Sequence, residues 1–301
     1  MTALIEDPRM EDLLLPSSRL ERIWSGAKWA EGAVYLRNED ALVWSDIPNN
    51  RMLRWTESEG STVFRAPSHF ANGNTLDLQG RLVTCEHGRR LISRTEPDGS
   101  IVVLVDRFEG RRFNSPNDLV VKSDGTIWFT DPDYGILSDY EGYMAPSEIG
   151  SNNVYRFDPA TGHIEIVASD FEKPNGLAFS PCETRLYISD SSRSHDPKGR
   201  HHIRVFDVEN GRRLRSGSVF AEIEPGMPDG LRVDRRGHVF TSAGDGIAVY
   251  SPAGKRLGKI PVPEPAANCC FGGPGGNTLF IAATTSIYRI QLNIAGAPNR
   301  A

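Results

Sequence analysis

From about residue 20 onward the chain is a succession of short apolar runs, each closed by Gly, Pro, Asn or Asp, and helical periodicity is scarce. Six runs stand at comparable places: "ALVWSD", "RLVTCE", "TIWFTD", "RLYISD", "HVFTSA" and "TLFIAA". Turn signals such as "LQG", "KSDG" and "DRRG" come before them. A second strand-like run follows each: "MLRW", "LISR", "NVYRFD", "IRVFD", "IAVYS" and "SIYRI". A further run then leads to the next copy, as in "STVFRA", "IVVLVD", "HIEIVASD", "SGSVFAEI" and "RLGKIPV".

This pattern predicts an all-β fold: a six-bladed β-propeller with four-stranded antiparallel blades. The sixth copy ends after "SIYRIQL" without its last strand, while "RLERIWSG" (19–26) is a spare strand ahead of the first copy. The N-terminal strand is therefore expected to close the last blade and remove two open sheet edges. Residues 1–18 are expected to form an N-terminal extension, either a short helix at "MEDLLLP" or a tether, and residues 19–301 the propeller domain.

Counting back from each turn places one oxygen-bearing side chain at the start of every innermost strand: Glu31, Asn72, Asn117, Asn175, Asp229 and Asn268. They recur every 39 to 58 residues and would form one ring around the central channel. Singly, Asn-Gly and Asp-Gly are ordinary turn residues, but turn chemistry does not select Glu31. Two carboxylates with amide oxygens suit one hard divalent cation. Ca²⁺ is the first expectation, with Mg²⁺, Mn²⁺ or Zn²⁺ as alternatives. Glu31, Asn175 and Asp229 are the firmest ligand candidates, and Asn117 is a fourth ligand or a substrate contact. Asn72 and Asn268 are weaker. Of the aspartates that end second strands, Asp46 and Asp131 are expected to hold neighbouring strands, with Asp190 the exception that contacts substrate.

The net charge of −5 offers no basic patch for nucleic acid, and no apolar run is long enough to span a membrane. The acidic N-terminus does not read as a signal peptide. Cys85, Cys182, Cys269 and Cys270 show no CxxC spacing, which points to reduced thiols and a cytoplasmic location. No GxSxG, HExxH, Walker A or GxGxxG motif is present. Two insertions, 133–153 and 191–202, follow second strands and are expected to cover the channel mouth. Arg112, Asp133, Tyr134, Arg193 and His87 are candidates for contacts to substrate hydroxyls.

The stretches "AEGAVYL" around Glu31, "SPNDLVVKSDGTIWFTDPDYG" around Asn117, "KPNGLAFS" around Asn175 and "MPDGLRVD" around Asp229 resemble the SMP-30/gluconolactonase/LRE-like family. The likeness runs from about Ile23 to Leu292 and is strongest to the bacterial gluconolactonase branch. It implies a six-bladed propeller with one catalytic divalent metal and hydrolysis of lactones, typically of sugars. The family's metal-binding Glu, Asn and Asp match Glu31, Asn175 and Asp229, and its further channel Asn matches Asn117. Asp229 would be the catalytic carboxylate, as general base or nucleophile. The sequence departs from the animal branch at Ser115, where that branch has Arg, and Arg112 is not equivalent. Related propellers hydrolyse organophosphates, so phosphotriesters and non-sugar lactones remain alternative substrates. A non-enzymatic binding propeller is the other alternative, with no reason to line its axis with these oxygens.

Overall fold

A computed structural model describes residues 3–297; both ends of the expected extension and domain run past them. Six antiparallel blades, five of four strands and the fifth with one strand more, stand in a ring. The innermost strands, in blade order, are Ala30–Leu36, Ala71–Leu76, Leu119–Val121, Pro174–Phe179, Leu231–Val233 and Ala266–Gly272. The second strands are Ala41–Asp46, Leu82–Glu86, Ile127–Asp131, Arg185–Asp190, Val239–Ala243 and Thr278–Ala283. Each innermost strand packs against those of the blades on either side, and the sixth returns to the first.

The unbroken apolar runs follow from this arrangement. Successive side chains of a strand point to opposite faces of its sheet, and here each face meets another blade. In the first blade, Leu42 and Trp44 pack with Cys270, Phe280, Ala282 and Ile287 of the sixth. Ala41 and Val43 face the other way, against Ala71, Leu76 and Leu82 of the second. The same alternation places a hydrophobic cluster in each of the other four inter-blade gaps. The core is therefore six wedges around a channel.

The ring closes as expected. Glu21–Ser25 pairs antiparallel with Ser286–Gln291 and forms the outer strand of the sixth blade. Trp24 lies against Trp44, ring centroids 5.2 Å apart, so the closing strand also joins the core between the first and last blades.

The chain before it is more than a tether. Leu4–Ile5 adds a fifth strand to the fifth blade, with Leu4 opposite Lys259. A 3₁₀ helix, Pro8–Leu13, follows; Asp7 caps it by accepting from Arg9 N at 3.1 Å. Met10 and Leu13 are buried in the wedge between blades five and six. Two small elements were not expected: a hairpin of Arg107–Phe108 with Arg111–Arg112, and a helix at Tyr134–Leu137 inside the first insertion.

Because Leu13 is 1 % exposed, Leu13→Ala is expected to cost ~2–5 kcal/mol in urea unfolding, the range for emptying a core leucine site. A change near zero would mean that the segment does not pack on the propeller.

Candidate active site

The residue that opens each innermost strand sits where regular pairing breaks. The register shifts between Glu31 and Val34, Ala71 and Asn74, Pro174 and Leu177, and Ala266 and Asn268. In blades three and five the regular strand begins only after Asn117 and Asp229. Such irregularities re-aim a side chain that regular pairing would direct at a neighbouring sheet.

Hydrogen bonds join these positions around the axis. Ser45 Oγ donates to the Asn72 carbonyl at 2.7 Å, Gly73 N to that of Asn117 at 2.8 Å, and Thr130 Oγ1 to that of Asn175 at 2.8 Å. Gly176 N and Ser189 Oγ both donate to the Asp229 carbonyl, and Gly230 N to Ala267. Asn268 Nδ2 closes the circuit on Glu31 Oε2 at 2.9 Å. A Cβ at residue 176 would lie 2.2 Å from the Asp229 carbonyl oxygen, so this close approach of two blades requires glycine.

Glu31 is 4 % exposed. Its Oε2 accepts from Gly32 N and Asn268 Nδ2, but Oε1 is buried with no hydrogen-bond partner. Burial, aided by the charges of Asp118 and Glu141, pushes its pKa up from 4.5 to about 7. Asp229 is pushed well above the ordinary range by burial first, then by Glu31, Asp118 and Glu141; a hydrogen bond from Asn175 opposes this. Asp118 is ion-paired with Arg232, Oδ2 to Nη1 3.5 Å. Arg232 also lines a cavity of about 140 Å³ bordered by the far ends of the innermost strands, among them Val34, Val121 and Phe179. Glu31 and Asp229 do not line that cavity, and we place the candidate site at the opposite end, where they meet.

A divalent cation fits this donor set. The group is all oxygen, no basic residue among the described residues pairs with its two carboxylates, and one carboxylate oxygen is buried without a partner among them. No cluster of three or more His, Cys, Asp or Glu suited to a metal occurs among the described residues; this site is two carboxylates with amides. Asn117 and Asn175 are buried beside them. Asn72 and Asn268 act as supports, Asn268 through Glu31 and Asn72 through His87.

The expected substrate contacts separate into two groups. Asp190 is fully buried and accepts from the backbone N–H groups of Glu172, Lys173 and Ser192. It therefore holds the entrance of blade four, as Asp46 and Asp131 do for theirs by accepting from Lys28 and from Asn114 and Ser115. His87 is also fully buried: its Nδ1 meets the Glu141 carbonyl at 3.0 Å, and its Nε2 meets Asn72 Nδ2 at 3.2 Å. Burial lowers its pKa to about 4, so the neutral ring donates from Nδ1 and accepts at Nε2. Arg112 is exposed and bonds to the Arg89 carbonyl, and Arg193 pairs with Glu224. Asp133 is engaged by Lys173.

Tyr134 stays at the mouth. Its hydroxyl lies 3.3 Å from both the Ser191 carbonyl and Ser194 Oγ, joining the two insertions, and the charge of Asp229 adds to burial in raising its pKa. Ser115 Oγ donates to the Pro132 carbonyl and accepts from Gly135 N, so the residue that replaces Arg anchors the start of the lid. Glu141, Lys173, Asp118 and Arg232 escape the sequence reading: Glu141 lies in an insertion, and the other three stand beside the repeated oxygen positions at places where the copies differ.

A family model described as "SMP-30/Gluconolactonase/LRE-like region" matches residues 29–285. The chain is similar to a gluconolactonase of Zymomonas mobilis, 34% identical over 96% of this chain and 85% of that protein. It is 27% identical to a pentonolactonase of Haloferax volcanii over 85% of this chain and 82% of that one. A solved gluconolactonase structure from Xanthomonas campestris superposes with a TM-score of 0.91 at 38% identity, covering 97% of this chain and 95% of that one.

With Glu31 raised from 4.5 to about 7 in the metal-free fold, the folded state binds the extra proton between those values. Metal-free stability therefore falls as pH rises through that window. The Tm increase produced by adding Ca²⁺ to chelator-treated protein is expected to be small near pH 5 and to grow through pH 7, and Glu31→Gln should flatten that growth. Equal increases at pH 5 and pH 8 in the unsubstituted protein would show that these carboxylates do not hold the ion.

Proposed function

The chain belongs to the SMP-30/gluconolactonase/LRE-like family, and from that premise we propose that it is a lactonase of sugar lactones, opening gluconolactone-like rings to aldonic acids with a divalent cation in its central channel. The observation that carries this reading is the buried Glu31–Asp229 pair with one glutamate oxygen left unpartnered. Glu31, Asn175, Asp229 and Asn117 would hold the ion, Ca²⁺ first, with Mg²⁺, Mn²⁺ or Zn²⁺ in its place. When bound, it supplies Lewis-acid polarisation of the ester carbonyl and the positive charge that keeps both carboxylates ionised.

The chain's own residues do the rest. The Asp229 backbone is fixed on both sides: its N–H donates to Ser242 Oγ at 2.7 Å and its carbonyl accepts from Ser189 Oγ at 2.8 Å. The Asn175 amide, which favours the charged form of the carboxylate, would help to keep Asp229 ready to accept a proton. Asp229 takes a proton from water as the water oxygen bonds to the ester carbonyl carbon. The ring C–O bond then breaks, and the departing oxygen recovers the proton from Asp229. The product is the open hydroxy acid, and the carboxylate is regenerated. Asn117, buried like Asn175, would orient substrate beside the ion. All four cysteines are unpaired, which suits the cytoplasm. No helix among the described residues is long and apolar enough to cross a membrane, and the partner this chemistry needs is a small lactone.

Proton release on adding D-glucono-δ-lactone tests the reading. Chelated protein is expected to be inactive and to recover with a divalent cation. Asp229→Asn should lower kcat/KM by about 10²–10⁴-fold, the range for a lost general base, while remaining folded. Undiminished hydrolysis by the chelated protein or by the Asn variant would overturn the metal-and-base assignment.

A further inference from the structure

His87 is a fully buried histidine to which the reaction above gives no task. It follows directly on the second strand of blade two, Leu82–Glu86, and stands between the channel ring and the first insertion. The insertion presses on it: a Cβ at residue 135 would lie 2.6 Å from the His87 Cβ, so only glycine fits there. Gly88, the next residue, is bordered by the rings of Phe70 and Tyr143, which meet edge-on with centroids 5.3 Å apart.

The two ring nitrogens have opposite roles. Nδ1 lies 3.0 Å from the Glu141 backbone carbonyl, a group that can only accept, so Nδ1 carries the proton. In the neutral ring Nε2 then holds a lone pair, and it needs the Nδ2 donor of Asn72 that stands 3.2 Å away. The Asn72 oxygen is thereby turned away from the imidazole. Reversing the amide would set two acceptors against each other.

The chain leading to Asn72 is held in a costly shape at the same place. His69 and Phe70 are successive non-glycine residues with φ of 59° and 54°, in the left-handed region. Their carbonyls accept from Gly88 N at 2.9 Å and His87 N at 3.1 Å, and Phe70 N donates to Asn50 Oδ1 at 2.9 Å. Strain of this kind persists where the surroundings over-determine it, and it collects at functional positions. Here the backbone of residues 87 and 88 fixes where Asn72 stands, and the His87 ring fixes which way its amide faces.

We propose that His87 is a positioning residue for the lactone-opening reaction: as one neutral tautomer it ties the lid backbone to the channel ring and sets the Asn72 amide. This rests on the lactonase reading above and adds to it a group that acts through Asn72 and the lid.

The test takes each ring nitrogen separately. His87→Asn keeps an amide donor near the place of Nδ1, His87→Gln keeps an acceptor near that of Nε2, and His87→Phe fills the space with neither. On D-glucono-δ-lactone, His87→Phe is expected to lose about 10- to 100-fold in kcat/KM, up to the loss for a misplacement of ~1 Å. Each amide variant should recover part of that loss. Asn72→Ala combined with His87→Phe should lose no more than the worse single variant, because both break one link. Nitrogen NMR of histidine-labelled wild type reads the tautomer without turnover, and Nδ1 should be the protonated atom. With the wild type active, full activity of His87→Phe, losses that multiply in the double variant, or no recovery in either amide variant would overturn the positioning role and leave the lactonase reading standing. A proton on Nε2 in place of Nδ1 would overturn it too, even if His87→Phe fails to fold. Wild-type protein inactive on this lactone would overturn the proposed function and this inference with it.

Discussion

Closing six sheets into a ring creates one line in the molecule where six equivalent strand openings face each other. The rest of the structure depends on how that line is filled. Apolar side chains are already committed to the wedges between blades, where the two faces of every strand are used. What remains at the axis is backbone and its immediate neighbours. Buried carbonyls there need donors, and the repeat supplies them from hydroxyls one strand away: Ser45, Thr130 and Ser189. These bonds connect each blade to the next at the level of the site, so the residues that carry charge are held by the same contacts that close the ring.

On that frame the two carboxylates are a liability unless something positive joins them. Desolvation and mutual repulsion both drive Glu31 and Asp229 toward their protonated forms. A protonated Asp229 cannot take a proton from water. Under the proposed function, Asp229 is therefore available as a base only when positive charge is present. Arg232 does not serve, because it is committed to Asp118.

The blades and the ring were legible because they are local and repeated. A turn, a run of β-branched and aromatic residues and an Asn or Asp at a fixed offset are all written within one copy, and six copies reinforce each other. The closing strand was legible as a deficit, one strand missing at the end and one spare at the start. What escaped depends on contacts made once. Leu4–Ile5 reads as nothing in particular until Lys259 lies opposite it. His87 reads in the sequence as a candidate contact to substrate hydroxyls, because a lone histidine carries no sign of the Asn72 and Glu141 groups that meet its two ring nitrogens. Asp190 stands apart in the sequence reading from the other aspartates that end second strands, yet both its oxygens accept from backbone N–H groups, as those of Asp131 do. There the repeat itself was the better guide.

Division of labour between ring and lid follows from these differences. A position fixed by ring closure cannot move without disturbing two blades, so the groups that act on the ester belong there. The insertions are fastened by contacts that occur once each, among them Ser115 to Pro132 and Gly135, Tyr134 to Ser191 and Ser194, and His87 to Glu141. Ser115 illustrates the trade, because a residue that could have reached toward substrate from the ring side is spent on anchoring the lid. The lid itself is tied to the ring through backbone, where the Glu141 carbonyl accepts from His87 Nδ1 and the other ring nitrogen of His87 meets Asn72.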